Sequence, residues 1–212
     1  MPPTIIQESH DKNPLSLDSL SSYKHYEIFT NTVSHLHPDN IPIKFTAIEY
    51  LGKQKGCLVI ELLERASSVI GNINFNKLDL PGTCLENGVQ ITSVYINAEY
   101  RGLTLAITAY ELIANRYLVV SDKIQTSDGA ALWKFKVGSS SKLDVYVVLW
   151  KTDEMPVKLM DVNDVPLIYN TTKEDLEPLI WGLESPESKF PTINTHPFLL
   201  RNDTLLVAVN RI

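Results

Sequence analysis

Val94-Tyr95-Ile96-Asn97-Ala98-Glu99-Tyr100-Arg101-Gly102-Leu103-Thr104-Leu105-Ala106 joins the strongest strand signal in this chain to its strongest helix signal. Val89 to Asn97 (VQITSVYIN) is rich in β-branched and aromatic residues, which suit a pleated, half-buried surface. Beyond the join, Leu103, Ala106, Ile107, Tyr110 and Ile113/Ala114 recur at the spacing of one helix face. The spacing predicts a helix over 103–116, with Arg116 in the last turn, where a cation suits the helix dipole. A tight turn feeding a helix leaves its first amides without intrahelical partners. Together with the positive end of the dipole, those amides make an anion site. Gly102 lets the backbone approach closely, and the small Thr104 and Ala106 keep one face of the first turn open.

Working outward, Lys44 to Leu51 (KFTAIEYL) and Cys57 to Leu63 (CLVIELL) read as a hairpin around Gly52-Lys53-Gln54-Lys55-Gly56. Val69 to Phe75 reads as a third strand. Downstream come a short strand at Tyr117 to Val120, a polar loop over 121–128 and a second helix over 128–135. Gly138-Ser139-Ser140-Ser141 is a linker, and Leu143 to Trp150 is another strand. Residues 152–200 carry half of the 12 prolines and read as an irregular insertion with one short helix at 173–181. Leu205 to Val209 closes the chain as a strand. Leu17, Leu20, Tyr23 and Glu27 fall on related turns, which predicts a helix from Ser16 or Asp18 to the turn cluster His37-Pro38-Asp39-Asn40. The expected organisation is a loose leader (1–22), a core (23–151), the insertion (152–200) and a closing strand of the core (201–212). The central strand–helix–strand unit is expected to be parallel by a right-handed crossover.

Composition excludes several classes. The net charge is −6, and the densest basic stretch, Lys134-Phe135-Lys136, holds only two cations, so phosphate-backbone binding is not expected. Cys57 and Cys84 fit no zinc or CxxC spacing, and Cys57 reads as a buried small hydrophobe. The N-terminus lacks a signal-peptide pattern, and no apolar run approaches the ~18 residues of a membrane span, so a cytoplasmic protein is expected. The sequons at Asn170 and Asn202 are then chance matches. His35-Leu36-His37 sits beside a turn without acidic or Cys partners, and no metal is expected. GxSxG, Walker and HExxH patterns are absent.

At residues 101–106 the chain resembles the acetyl-CoA signature of the GNAT N-acetyltransferase superfamily. In that signature Arg or Gln, two variable residues, Gly, one variable residue and Gly or Ala grip the pyrophosphate. Arg101 and Ala106 match, and Thr104 stands where the family usually has glycine. The element order from Val89 to Trp150 is similar to the family's. The runs 119–126 and 131–134 resemble GNAT-like proteins of bacteriophage genomes. The resemblance implies an α/β fold, a GNAT-like mixed, mostly antiparallel central sheet flanked by helices, with a C-terminal irregular insertion. It implies transfer of acetyl from acetyl-CoA to a primary amine of a small molecule or protein.

On the same resemblance, Arg101, Gly102, Leu103, Thr104, Leu105 and Ala106 hold the cofactor. A backbone amide near Tyr95 or Ile96 polarises the thioester carbonyl. Asp122 is the base for the amine, with Ser121 as helper and Glu49 or Glu61 as alternatives. Trp133, core or cofactor wall, stands where many members place the tyrosine that protonates the thiolate, and indole does not titrate. Ser127, Tyr110, Tyr95 or water would then serve. A second reading is a GNAT-like binding or structural module, such as a phage particle component or host-directed inhibitor. Thr104, Trp133, the leader and residues 152–200 motivate it. The acceptor and any homo-oligomeric state are left open.

Overall fold

A computed structural model describes residues 4–6, 24–64, 67–122, 124–151, 153–169, 180 and 203–211. In chain order the elements are β1 (Thr4–Ile6), β2 (His25–Val33), β3 (Ile43–Tyr50), β4 (Lys55–Leu63), β5 (Ser67–Lys77) and β6 (Gly88–Ile96). A 3-10 turn (Ala98–Tyr100), α1 (Leu105–Ala114), β7 (Leu118–Val120), β8 (Ile124–Thr126) and α2 (Ser127–Phe135) follow. A second 3-10 turn (Val137–Ser139), β9 (Leu143–Leu149), β10 (Val157–Lys158) and β11 (Thr204–Asn210) complete the series. Nine strands share one sheet in the order β10-β9-β11-β7-β6-β5-β4-β3-β2, and β1 pairs β8 separately. Within the large sheet β6 and β7 are parallel, and the other neighbouring pairs are antiparallel.

Alternation along the strands sends successive side chains to opposite faces. One face carries Phe45, Leu58, Ile60, Ile73 and Phe75, which share the main core with Leu105, Ala109, Tyr110 and Ile113 of α1 and Trp133 of α2. The intervening residues form two smaller clusters, Ile48, Cys57 and Val59 in one and Val120, Val148, Leu205 and Val207 in the other, and neither contains a helical residue. The architecture is therefore a mixed α/β fold on a mostly antiparallel sheet. Among the described residues, α1 and α2 pack on the same face rather than flanking both.

Several expectations need correction. Residues 25–33 form a strand, not the end of a helix. His25 to Val33 (HYEIFTNTV) is β-branched and aromatic, and ladder pairing with β3 outweighs a helical spacing carried by few residues. The start of that predicted helix lies outside the described residues. The expected loop 121–128 contains β8. Helix α1 begins at Leu105, not Leu103, because Gly102 (φ +95) and Thr104 (φ +58) are both left-handed and cannot belong to it. The start of the 152–200 segment is less irregular than expected: β10 pairs β9, and Ile168 forms a further bridge to Tyr146. Apart from Ile180, the helix expected at 173–181 lies outside the described residues.

Close packing across the hairpin strands makes Gly56 irreplaceable. A Cβ there would lie 2.3 Å from Cζ of Phe75 and 2.6 Å from the carbonyl oxygen of Ile48. Gly56→Ala is expected to destabilise the fold by about 1–3 kcal/mol, as overpacking does. Urea unfolding with an unchanged midpoint would refute this.

Candidate functional site: the parting of β6 and β7

The parallel pair is short. Its rungs are Gly88↔Leu118, Val89↔Val119 and Gln90↔Val120, and there the two strands separate. The far edge of β7 belongs to β11, through Val120↔Val207 and Val119↔Ala208. Ser121 prolongs that attachment. Its amide donates to the Leu206 carbonyl at 2.9 Å, and its hydroxyl accepts from the Leu206 amide at 3.0 Å. Meanwhile β6 stays on β5, with Ser93, Val94, Tyr95 and Ile96 opposite Asn74, Ile73, Asn72 and Gly71. A bulge interrupts this ladder, since Phe75 faces Ile91 and Asn74 faces Ser93, leaving Thr92 as the extra residue. Among the described residues, no backbone hydrogen bond crosses from 91–96 to β7 or β8. An open strand edge results.

Helix α1 begins beside the C-terminal end of β6. Its first backbone bond runs from the Thr108 amide to the Thr104 carbonyl at 3.0 Å. The amides of Leu105, Ala106 and Ile107 have no hydrogen-bond partner among the described residues. Thr104 occupies the N-cap position with φ +58, ψ +16 and no side-chain capping bond. Such backbone is strained for a β-branched residue. Gly102 at φ +95 occupies a region that favours glycine, and a methyl group there would meet nothing within 4 Å, so backbone conformation rather than space selects the residue.

The other sequence-predicted residues fall at varied distances from this opening. Arg101 is exposed, and its Nε donates to the Ile96 carbonyl at 3.0 Å, tying the turn back to the end of β6. Leu103 and Ile96 pack partly against the main core, and Leu105 is buried in it. Tyr95 is half-buried on the same rung as Asn72. Asp122 lies where the strands part. The Gln90 carboxamide nitrogen reaches its Oδ1 at 3.5 Å and the Ser121 carbonyl at 3.4 Å. Ser121 itself is 2 % exposed and its hydroxyl already serves β11, a structural duty. Trp133 is buried in the main core, edge-on to Tyr110 with centroids 5.6 Å apart. Burial of Tyr110 pushes its hydroxyl well above the ordinary range, so it stays neutral. The side chain of Ser127 lies outside the described residues.

The alternative carboxylates belong elsewhere. Glu61 pairs with Lys44 at 3.0 Å and accepts from the Ser67 hydroxyl at 3.1 Å. Glu49 is 4 % exposed and accepts hydrogen bonds from both the Tyr117 and Tyr26 hydroxyls, with Lys77 Nζ at 3.1 Å. Tyr117 directly precedes β7, so this cluster sits at the closed end of the β6–β7 pair, away from the parting. Burial alone would raise the Glu49 pKa; the two phenols and Lys77 outweigh it and hold the carboxyl below its usual 4.5. A carboxylate so stabilised is a poor proton acceptor.

Sequence reasoning passed over Gln90, Thr92 and Asn72. Asn72 is 0 % exposed, and among the described residues neither atom of its carboxamide has a partner. An unmet buried polar group costs about 1–3 kcal/mol. Asn72 falls in the polar phase of the alternation Asn72-Ile73-Asn74-Phe75-Asn76, so nothing in the sequence marks it as buried. The Thr92 bulge left no mark either.

Among the described residues there is no cluster of three metal-ligating side chains, and no helix is long and apolar enough to cross a membrane. Comparison with known proteins finds no matching family model, no matching curated protein and no matching solved structure.

Two outcomes follow from this geometry. Thr104→Gly removes left-handed strain and is expected to stabilise the fold by about 1 kcal/mol; a lowered melting temperature would contradict the assignment. The depressed Glu49 pKa contributes stability that is present above 4.5 and lost as pH falls through the lower folded-state value. Glu49→Gln should therefore be less stable than wild type at neutral pH, with the gap closing below pH 4.5. A gap independent of pH in urea titrations would rule this out.

Proposed function

We propose that the chain has a GNAT-like fold and binds an acyl-coenzyme A, from which it transfers acetyl to a primary amine on a small molecule or protein. The observation that carries this reading is the parallel β6–β7 pair, which opens after three rungs beside a helix whose first amides are unengaged. An extended, amide-bearing pantetheine arm suits an open strand edge, because it can take the hydrogen bonds that a neighbouring strand would. A diphosphate suits the amides of Leu105, Ala106 and Ile107 at the positive end of α1. The left-handed Thr104 stands where the resemblance expects glycine, and that backbone is what glycine supplies freely.

The chemistry assigns roles to this chain's own groups. The ammonium of the acceptor must lose a proton, and Asp122, held by Gln90 at the parting, accepts it through water. The free amine then attacks the thioester carbonyl. A C–N bond forms, the C–S bond breaks, and the second proton, shed by the nitrogen as the amide forms, passes through water to the departing thiolate. A β6 amide near Tyr95 or Ile96 stabilises the oxyanion that develops between those events. The cytoplasmic placement and the phage-type branch belong to the same proposal.

A second reading, a GNAT-like binding or structural module without turnover, has its own support. Trp133 is committed to the core, and the Arg101 Nε is already engaged by Ile96.

Titration with CoA and acetyl-CoA while following thermal unfolding tests the site. Ligand at 100 times its dissociation constant is expected to stabilise the fold by about 2.7 kcal/mol. Arg101→Glu, which sets a carboxylate against a diphosphate, should abolish the shift. Label transfer from acetyl-CoA to an amine distinguishes the enzyme from the module. No shift with either ligand removes the acyl-CoA reading and leaves the module.

A further inference from the structure

The nine-stranded sheet ends very differently at its two edges. At one edge, β10 is two residues long, too short to template another strand. At the other, β2 runs for nine residues. Its residues 26–33 carry backbone hydrogen bonds to β3, and among the described residues none on the opposite edge. The devices that usually guard such an edge are nearly absent. His25 to Val33 contains no lysine and no proline. Its single bulge lies between Glu27 and Phe29, which leaves Phe29 to Val33 in regular register. Thr30, Asn31 and Thr32 are exposed.

We infer that this edge pairs with β2 of a second copy of the chain, antiparallel about a two-fold axis at Asn31. The occupant follows from self-complementarity, which an isologous interface requires. With Asn31 on the axis, Thr30 meets Thr32 and Phe29 meets Val33, so no charge is opposed within the regular stretch. Glu27 lies beyond the bulge and His35 beyond the end of β2, so neither enters the paired stretch. The Asn31 carboxamide is both donor and acceptor, so two related by the axis can bond reciprocally. The inference stands independently of the acyl-CoA reading.

Light scattering during gel filtration of the full chain is expected to give twice the 23.9 kDa of one copy. Asn31→Lys and Asn31→Asp each place like charges across the axis and should weaken the dimer roughly tenfold or more. Mixing the two variants should restore it. Asn31 is exposed, so both variants keep the fold, which circular dichroism checks. Amides within Phe29 to Val33 should also exchange more slowly as wild-type concentration rises. The mass of one chain at every concentration, or dimers of equal strength in both variants, would overturn the inference.

Discussion

The competition for β7 governs this molecule. A strand has two edges, and β7 gives one to β6 for three rungs and the other to β11. At Ser121 the attachment to β11 persists through both the amide and the hydroxyl, while the ladder to β6 ends. Because β6 remains fastened to β5 up to Ile96, the two strands must separate. The separation exposes strand-edge hydrogen-bonding groups, which proteins seldom leave unpaired. It also brings that edge next to the unengaged amides of α1. The proposed chemistry rests on that opening.

Polar burial divides the sheet into a rigid end and an unsatisfied one. At the closed end, Glu49 is saturated by Tyr26, Tyr117 and Lys77, groups from β2, the entry to β7 and β5. The cluster links an edge strand to the middle of the sheet, and Gly56, the cross-strand partner of Glu49, leaves room for the Phe75 ring. Toward the parting, the Asn72 carboxamide has no partner among the described residues and lies on the same rung as Tyr95. Full satisfaction stiffens a network, whereas an unmet group is held in place only by the packing around it. The two ends thus differ in kind: one stabilises the sheet and the other lies toward the candidate site.

Much of the strand framework was legible. VQITSVYIN, CLVIELL and LDVYVVLW declare strands through β-branched and aromatic density, and their observed bounds shift by only a few residues. Residues 25–33 were not legible as a strand, because their pairing with β3 is a long-range contact that local spacing does not encode. Tyr26 and Tyr117 are far apart in sequence, so nothing short of the fold reveals that both serve Glu49. Arg101, Gly102 and Thr104 were visible as a turn, yet the left-handed backbone at Thr104 runs against the preference of its own side chain.

By itself the sequence determined the succession of elements from β3 to β7, the net acidic character and the Tyr-Arg-Gly turn that precedes α1, since each depends on near-neighbour sterics and composition. Tertiary structure alone decided the strand order, the parting after Gln90, the placement of both described helices on one face and the use of Ser121 as a rung of the β11 ladder. Those features arise from hydrogen bonds and apolar contacts between segments remote in the chain. Their energies depend on which partner wins each edge and face, and no local pattern records that contest.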